Sequence, residues 1–336
     1  MNKYLLSPLV LVSFASGQVN ERVDSTTRAL PSPSLEAASD TTSTGSTDAV
    51  ASDTGAQRPL KLDSGISGQF GYDSRYSYKE NPLGAPGVLD QQSDGVWENR
   101  FHGRAKLGVY DMDSSIVTPF FGGSWTITDY TYQDANDFVP DLSALNHYTT
   151  TAYLLFLLQH ESGWAFRAGV MYSNDRSTEN DTEEYMEFYP SIGATKAYAL
   201  SEQALGVIDA SIGVHLGNIE DVDGSSSDHT DDELDHADLT ASYSIIYSFD
   251  KFSVRPSYSL SYRKYDNGFN FDRSDLLHHL SIHLDYPITE SFELSLFSDY
   301  SKRKSSGSDS QGDPYSKIYD FKKFSVGAGL GLVASF

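Results

Sequence analysis

Cysteine is absent from the 336-residue chain, which excludes disulfides, cysteine-ligated zinc, cysteine nucleophiles and a lipid anchor on an N-terminal cysteine. Basic residues are scarce, because 24 Lys and Arg stand against 47 Asp and Glu, for a formal charge of −23. This balance argues against nucleic acid as a partner, since phosphates need a basic surface. Long apolar runs are also missing, and none reaches the roughly 18 residues that a membrane-spanning helix requires.

Aromatic residues and glycine are abundant, with 22 Tyr, 18 Phe and 26 Gly in a chain whose mean hydropathy is only −0.40. A polar, acidic chain with many aromatics and no apolar run is typical of a closed β-barrel in a membrane. The strands of such a barrel alternate between lipid-facing and lumen-facing side chains. The composition therefore makes alternation the pattern to look for.

The N-terminal residues have the order of parts of a secretory signal peptide over 1–17. Lys3 precedes an apolar stretch, and small residues follow at 15–17. Residues 18–62 are rich in Ser, Thr, Ala and Asp and contain no aromatic, so they cannot bury enough surface to offset their ordering entropy. We expect a cleaved signal peptide and then a disordered periplasmic leader. Cell-wall binding or occupation of the pore by the leader stays an open alternative.

From residue 65 onward, apolar residues recur at every second position in segments separated by alternately short and long connections. The pattern predicts twelve strands, over 65–79, 95–111, 115–130, 147–160, 163–175, 184–200, 204–218, 236–250, 251–265, 273–287, 291–303 and 317–336. Five short turns, near 112, 161, 202, 250 and 289, alternate with six long connections. Short turns in the periplasm, long loops outside and an even strand count are the requirements of a bacterial barrel. The sequence predicts an all-β fold, a closed antiparallel transmembrane β-barrel over 63–336.

The last strand alternates until it ends on Phe336. This ending resembles the C-terminal strand that bacterial barrel proteins present to their assembly machinery. The segment Gly71-Tyr72-Asp73-Ser74 is similar to the start of a broad group of barrel porins. The resemblance implies the bacterial outer membrane as the location, with outer-membrane lipid, lipopolysaccharide and the assembly machinery as partners.

A soluble β-sandwich or β-solenoid is the alternative fold, since it also has alternating strands. Pro119, Pro190 and Pro256 fall inside predicted strands, where each removes a ladder hydrogen bond. We expect them at bulges or rims. Lys196 falls on the outward face, and its ammonium should extend to the periplasmic interface.

If the uncharged face is outward, the charged residues of the strands line the lumen. The candidate lumen and constriction residues are Asp73, Arg75, Glu98, Arg100, Arg104, Lys106, Arg167, Arg255, Arg263, Asp285 and Glu293. His102, Glu187, Asp209 and Asp299 share that face. The turns predict four close pairs, Asp73 with Arg100, Arg75 with Glu98, Arg255 with Asp285, and Asp285 with Glu293. Such charges either neutralise one another and brace the wall or form a constriction that orients a polar or anionic solute.

Small inward residues predict free space along two strands, at Thr240, Ser242 and Ser244 and at Ser325, Gly327, Gly329 and Gly331. Twelve strands lie between the filled barrels of eight and the wide channels of sixteen, which permits either a narrow pore or a plugged wall. The small inward residues favour the narrow pore. The acidic run from Glu220 to Asp238 is interpreted as solvated, with diffuse binding of divalent ions between it and lipopolysaccharide phosphates left open. Its calcium-like fragment 221–224 lacks the remaining ligands. No metal or cofactor is expected.

Catalytic patterns are weak. The outer-membrane phospholipase A family also has twelve strands, but its His-x-Ser-Asn-Gly stretch is matched poorly by 160–163 and by 279–281. The pairs at 228–229 and 235–236 are similar to the acid-histidine pairs of ten-stranded outer-membrane proteases, without the second acidic pair. We expect no enzyme and a passive, narrow, porin-like channel for small polar solutes. A non-conducting surface barrel for adhesion or envelope stabilisation is the alternative, and an embedded hydrolase is the third.

Overall fold

The computed structural model describes residues 62–63, 66–80, 93–131, 146–179, 181, 183–218, 235–266, 270–308, 312, 314 and 320–336. The predicted signal peptide, the leader up to residue 61 and the acidic segment 219–234 lie outside the described residues. Among the described residues, no helix is long and apolar enough to cross a membrane.

Strands account for most of the described chain. They are β1 (Leu62–Asp63), β2 (Ser67–Glu80), β3 (Ser93–Lys106), β4 (Val109–Met112), β5 (Ser115–Tyr130), β6 (His147–His160), β7 (Trp164–Ser177), β8 (Glu183–Ser201), β9 (Ala204–Asn218), β10 (His236–Ser248), β11 (Ser253–Tyr265), β12 (Ser274–Pro287), β13 (Phe292–Ser306) and β14 (Phe321–Ser335). Each wall strand pairs antiparallel with its sequence neighbours, and β14 pairs with β2, so the sheet closes on itself.

The closed wall has twelve strands, because β4 continues β3 along the same partner strand, β5. Between β3 and β4, at Leu107 and Gly108, a bulge adds one extra residue. Gly108 has a φ of 121°, and the Leu107 amide donates to the Pro119 carbonyl at 2.9 Å. Pro119 therefore lies beside a bulge, as predicted. The two-residue β1 is an extra strand that pairs with β4.

The predicted architecture is confirmed. The five short turns lie at 113–114, 161–163, 202–203, 249–252 and 288–291. All five are at the same end of the barrel as the first residue of β2 and the last residue of β14. In bacterial barrels this is the periplasmic end. Three details differ: the predicted 95–111 strand is two strands, β14 begins four residues late, and neither Pro190 nor Pro256 is at a bulge. At Pro190 the pairing of β8 with β9 is interrupted without a register shift, because proline has no N–H to donate.

The outward face carries a belt of exposed aromatic and aliphatic side chains. One run of rings crosses four adjacent strands, from Tyr72 to Phe101 (centroids 4.8 Å apart), then to Trp125 (5.9 Å) and Tyr148 (6.2 Å). At the periplasmic end, Lys196 Nζ lies 5.3 Å from the centre of the Trp164 ring. A continuous apolar belt of this kind suits a lipid environment, because soluble proteins expose only small apolar patches.

Phe336 extends the ladder between β14 and β2 by one further residue. The amide and carbonyl of Phe336 bond to the carbonyl and amide of Gly68 at 2.9 and 3.0 Å. The Phe336 ring stacks on Phe70 with centroids 5.6 Å apart. The C-terminal residue thus completes the seam between β14 and β2.

Candidate functional site

The candidate site is the inner wall of the barrel. All eleven charged residues assigned to the lumen from the sequence lie on the strand faces opposite to the exposed aromatic belt. Their role in conduction stays a prediction, but their contacts define what the lumen can do. Among the described residues, no group of three or more His, Asp or Glu is arranged to hold a metal ion.

Asp73 is the centre of one lumen cluster. Arg100 donates to Asp73 Oδ2 from Nε at 3.0 Å and from Nη2 at 2.6 Å, and His102 Nε2 lies 3.4 Å from the same oxygen. Asp73 is directly opposite Arg100 in the ladder, and Arg75 is opposite Glu98, as the sequence predicts. One carboxylate therefore holds two cationic or polar side chains of β3 in place.

Glu98 has a partner that the sequence analysis missed. Lys79 Nζ donates to Glu98 Oε1 at 3.3 Å, and Lys79 is fully buried. Lys79 lies on the inward face of β2, four residues after Arg75, so the alternation itself could have identified it. An ammonium removed from water in this way needs a carboxylate partner.

The glycine-lined strand β14 does not leave free space in the lumen, contrary to the expectation. The Arg75 side chain extends across β14 until its guanidinium lies 5.6 Å from the centre of the Phe297 ring on β13. A Cβ at Gly329 would lie 2.8 Å from Arg75 Cγ. Glycine is needed there because a neighbouring side chain occupies the volume, which the sequence of β14 alone cannot reveal.

Two predicted pairs are wrong by two residues. Arg255 is opposite His283 rather than Asp285, and Asp285 is opposite Ser295 rather than Glu293. The pair of the β12–β13 ladder nearest the turn is Pro287 with Glu293, which puts Asp285 opposite Ser295. The register of β11 with β12 is separate from this turn, and alternation fixes neither. A shift of two residues keeps every side chain on its face. Asp285 and Glu293 remain the acidic electrostatic neighbours of Arg255, with Arg75 as a basic one.

Arg167 on β7 forms an ion pair with Asp209 on β9, two strands away. Its Nη2 donates to Asp209 Oδ1 at 2.8 Å, its Nη1 donates to Oδ2, and Thr195 donates to the same carboxylate. The guanidinium crosses β8 at Gly193, where a Cβ would lie 2.6 Å from Arg167 Cζ. The Arg167 side chain is 4% exposed, so this pair is a buried brace.

Arg104 and Lys106 lie near the periplasmic end of β3. Arg104 Nη2 donates to Gln69 Oε1 at 2.9 Å, and its guanidinium lies 5.6 Å from the centre of the Phe120 ring. Lys106 is opposite Ser67 and Phe120 and is half-buried. Farther around this end, a cavity of about 400 Å³ opens between turns 249–252 and 288–291, and Asp285 and Glu293 line it.

Histidines and tyrosines stack across four strands near the extracellular end. The ring centroids are 4.0 Å apart from Tyr189 to His215, 4.2 Å from His215 to His236 and 4.8 Å from His236 to Tyr265. His215 Nδ1 lies 2.9 Å from Glu187 Oε1, and its Nε2 lies 3.4 Å from Asp238 Oδ1.

Asp238 belongs to the wall, so its assignment to the solvated acidic run is wrong. It lies opposite the buried Arg263 in the ladder. Asp275 flanks Arg263 on the other side and binds Arg273 at 2.5 Å. These residues lie at strand ends, where sequence alternation merges into the loops and gives little signal.

A layer of buried side chains lies at the extracellular end of the lumen. Every wall strand contributes to it one inward residue that is no more than 5% exposed. The layer consists of Lys79, Val96, Thr128, His147, Asp175, Glu187, His215, His236, Arg263, Asp275, Arg303 and Phe321. Below it, one flank is lined by half-buried hydroxyl residues, Thr240, Ser242, Ser244, Ser257, Ser259, Ser295 and Ser301. The opposite flank, on β5 to β8, is packed with apolar side chains around Leu155 and Leu157. The lumen thus combines an accessible polar flank with a tight outer layer.

No family model matches the chain, and no curated protein matches it. Among solved structures, it is similar to an outer-membrane channel from Pseudomonas putida F1, with 12% identity and a TM-score of 0.46 over 84% of this chain and 100% of the other. The NanC porin is similar over 78% and 98%, with 10% identity and a TM-score of 0.41. The translocator domain of the autotransporter NalP from Neisseria meningitidis is similar over 80% and 88%, with 9% identity and a TM-score of 0.39. With its closed ladder and apolar belt, the chain has the fold of a bacterial outer-membrane β-barrel.

Proposed function

We propose that the protein is a narrow, passive outer-membrane channel for small polar solutes. The observation that carries this proposal is the hydroxyl-lined flank of the lumen, which continues past the Arg255, Asp285 and Glu293 cluster to the cavity at the periplasmic rim. Hydroxyl and charged groups replace part of a solute's hydration shell, so such a surface favours polar over apolar solutes. The interior holds charges of both signs. Such an interior suits small polar solutes better than it suits a channel that selects only cations or only anions.

The extracellular layer limits the size of what can pass. Its side chains are buried, and some lie close to an opposite charge within the layer, as Arg303 Nε does at 4.0 Å from Asp275 Oδ2. Passage therefore requires small displacements of these side chains, and the conductance is low. In this proposal, residues 1–17 are cleaved on export, residues 18–62 form the periplasmic leader, and the strand ending on Phe336 is presented to the barrel assembly machinery.

One observation favours a second candidate function. A layer in which all twelve strands contribute buried side chains is also what a non-conducting barrel would have, with adhesion or envelope stabilisation carried by its loops. Ser301 Oγ lies 2.8 Å from His279 Nδ1, and His279 Nε2 lies 3.5 Å from Asp299 Oδ1, so a serine beside a base does occur on the inner wall. The embedded hydrolase stays the third candidate, and the channel stays the main proposal because of the hydroxyl-lined flank.

Solute-induced swelling of lipid vesicles tests the channel. Vesicles that contain the folded full-length chain are mixed with uncharged polar solutes of graded size, from glycerol to trisaccharides. We expect rapid entry of the smallest solutes and exclusion of the largest. Vesicles with the heat-denatured chain are the control. If no solute enters faster than in the control, the barrel is non-conducting.

A further inference from the structure

Lysine is concentrated on one outward-facing sector of the wall, formed by β11 to β14 at the extracellular end. These side chains share the strand faces of the exposed tyrosines and leucines. They are Lys264, Lys302, Lys304 and Lys322, here called the basic sector. In the described strands, Arg176 and Lys196 are the other outward-facing Lys or Arg residues, and Lys196 is at the periplasmic end. The clustering is therefore local rather than a general feature of the belt.

The lysines are brought together by the strand registers. Lys302 is directly opposite Lys322 on one side and His278 on the other, and Lys304 follows two residues along the same strand. Side chains directly opposite in an antiparallel pair have Cβ atoms about 4.5–5.5 Å apart, and like charges there repel. Lys302 and Lys304 make no ion pair with any of the described residues. An anion bound beside Lys302 and Lys304 would offset the positive charge that these two side chains bring together.

The basic sector lies at the depth of lipid headgroups. Tyr300 and Phe324 are opposite each other. Each lies one outward position farther from the extracellular end than the lysine beside it on its strand, Lys302 or Lys322. Exposed aromatics mark the interface between hydrocarbon and headgroups. Two residues of strand add about 7 Å, so the lysines reach beyond the aromatic level. They face the bilayer surface rather than the lumen or the hydrocarbon.

We propose that the basic sector binds the phosphate groups of lipopolysaccharide in the outer leaflet. The proposal rests on the outer-membrane location of the channel proposed above. The chain has a net charge of −23 and would otherwise repel an anionic leaflet, so a local cluster of cations provides the complementary surface. Compact lysine ammonium groups suit phosphate oxygens that approach from several directions. Lys264, which binds Asp272 at 3.1 Å, forms the edge of the sector.

Binding of purified lipid A to the full-length chain in detergent tests the proposal, with native mass spectrometry as the readout. The variant carries Lys302→Gln, Lys304→Gln and Lys322→Gln together, and Lys196→Gln is the matched control. Each lysine near a charged surface contributes on the order of fivefold to affinity, so we expect about a hundredfold weaker binding of diphosphorylated lipid A by the triple variant. The control should bind as the unaltered chain does.

Three results would overturn the proposal: equal affinity of the triple variant, equal affinity for lipid A without phosphates, or equally tight binding of phosphatidylglycerol. Competition by inorganic phosphate at the same concentration would indicate a nonspecific anion site and would also overturn it. A heat-dependent shift on gels verifies that each variant is folded. The substituted side chains face lipid, so solute entry into vesicles reports on the channel independently.

Discussion

Arg167 on β7 binds Asp209 on β9 by crossing the whole width of β8. The crossing is allowed by Gly193, which has no side chain under the guanidinium. The lumen is braced across nonadjacent strands, and the energetic consequence is measurable.

Arg167→Ala should lower the free energy of unfolding by up to about 3–5 kcal/mol, because it leaves the Asp209 carboxylate, whose side chain is only 12% exposed, without its cation. Arg176→Ala is the matched control, since its ion pair with Asp181 is exposed and should contribute about 0–1 kcal/mol. Urea unfolding in lipid vesicles, followed by tryptophan fluorescence, measures both. Equal losses would show that the Arg167 pair is not desolvated.

Gly329→Val should destabilise the barrel by about 1–3 kcal/mol, because its Cβ would collide with Arg75. Ala328→Val, on the lipid-facing side of the same strand, should have a much smaller effect. The same unfolding experiment applies. A neutral Gly329→Val variant would mean that Arg75 does not lie across β14.

The loop between β7 and β8 should depend on pH. Hydrogen bonds from Tyr148 and from Arg176 lower the pKa of Asp181 below its ordinary value. A depressed carboxylate pKa stabilises the loop above the unfolded pKa, about 4, and this contribution is lost as pH falls through the lower folded value. Hydrogen exchange at residues 178, 179 and 181 should accelerate only in acid below pH 4. In Asp181→Asn, exchange should be fast at neutral pH too, and a slow variant would contradict the assignment.

Deletion of Phe336 should impair barrel assembly far more than deletion of residues 20–60, because Phe336 completes the β14–β2 seam through Gly68 and Phe70. Gel mobility of unheated and boiled membrane samples measures the folded fraction. The prediction fails if the folded fraction of the Phe336 deletion equals that of the leader deletion.

Alternation and turn spacing predict the strand count, the faces and the closure, because each depends on local pattern alone. The contacts between nonneighbouring strands could not be predicted in this way. Arg75 over Gly329 and Arg167 over Gly193 require the shape of the assembled wall. The pairs of Arg255 and Asp285 were misplaced because alternation identifies the face of a residue but not the register between two strands. The stack around His215 was not predicted, because alternation along one strand does not indicate which rings of four different strands meet.

Arg255→Ala tests the constriction. It removes the cation beside Asp285 and Glu293, so we expect a shift toward cation selectivity and a stability loss above the roughly 0–1 kcal/mol of an exposed pair, because Arg255 is 8% exposed. Arg255→Lys keeps the charge and should keep the selectivity. Reversal potentials under a salt gradient provide the comparison. Unchanged selectivity in Arg255→Ala would place this residue outside the conduction path.

Single-channel recording of the folded full-length chain in planar bilayers tests the channel most directly. The account predicts discrete current steps that are much smaller than those of sixteen-stranded porins in the same salt, because the extracellular layer is tightly packed. Bilayers shown to contain folded protein that nevertheless carry no steps would contradict it.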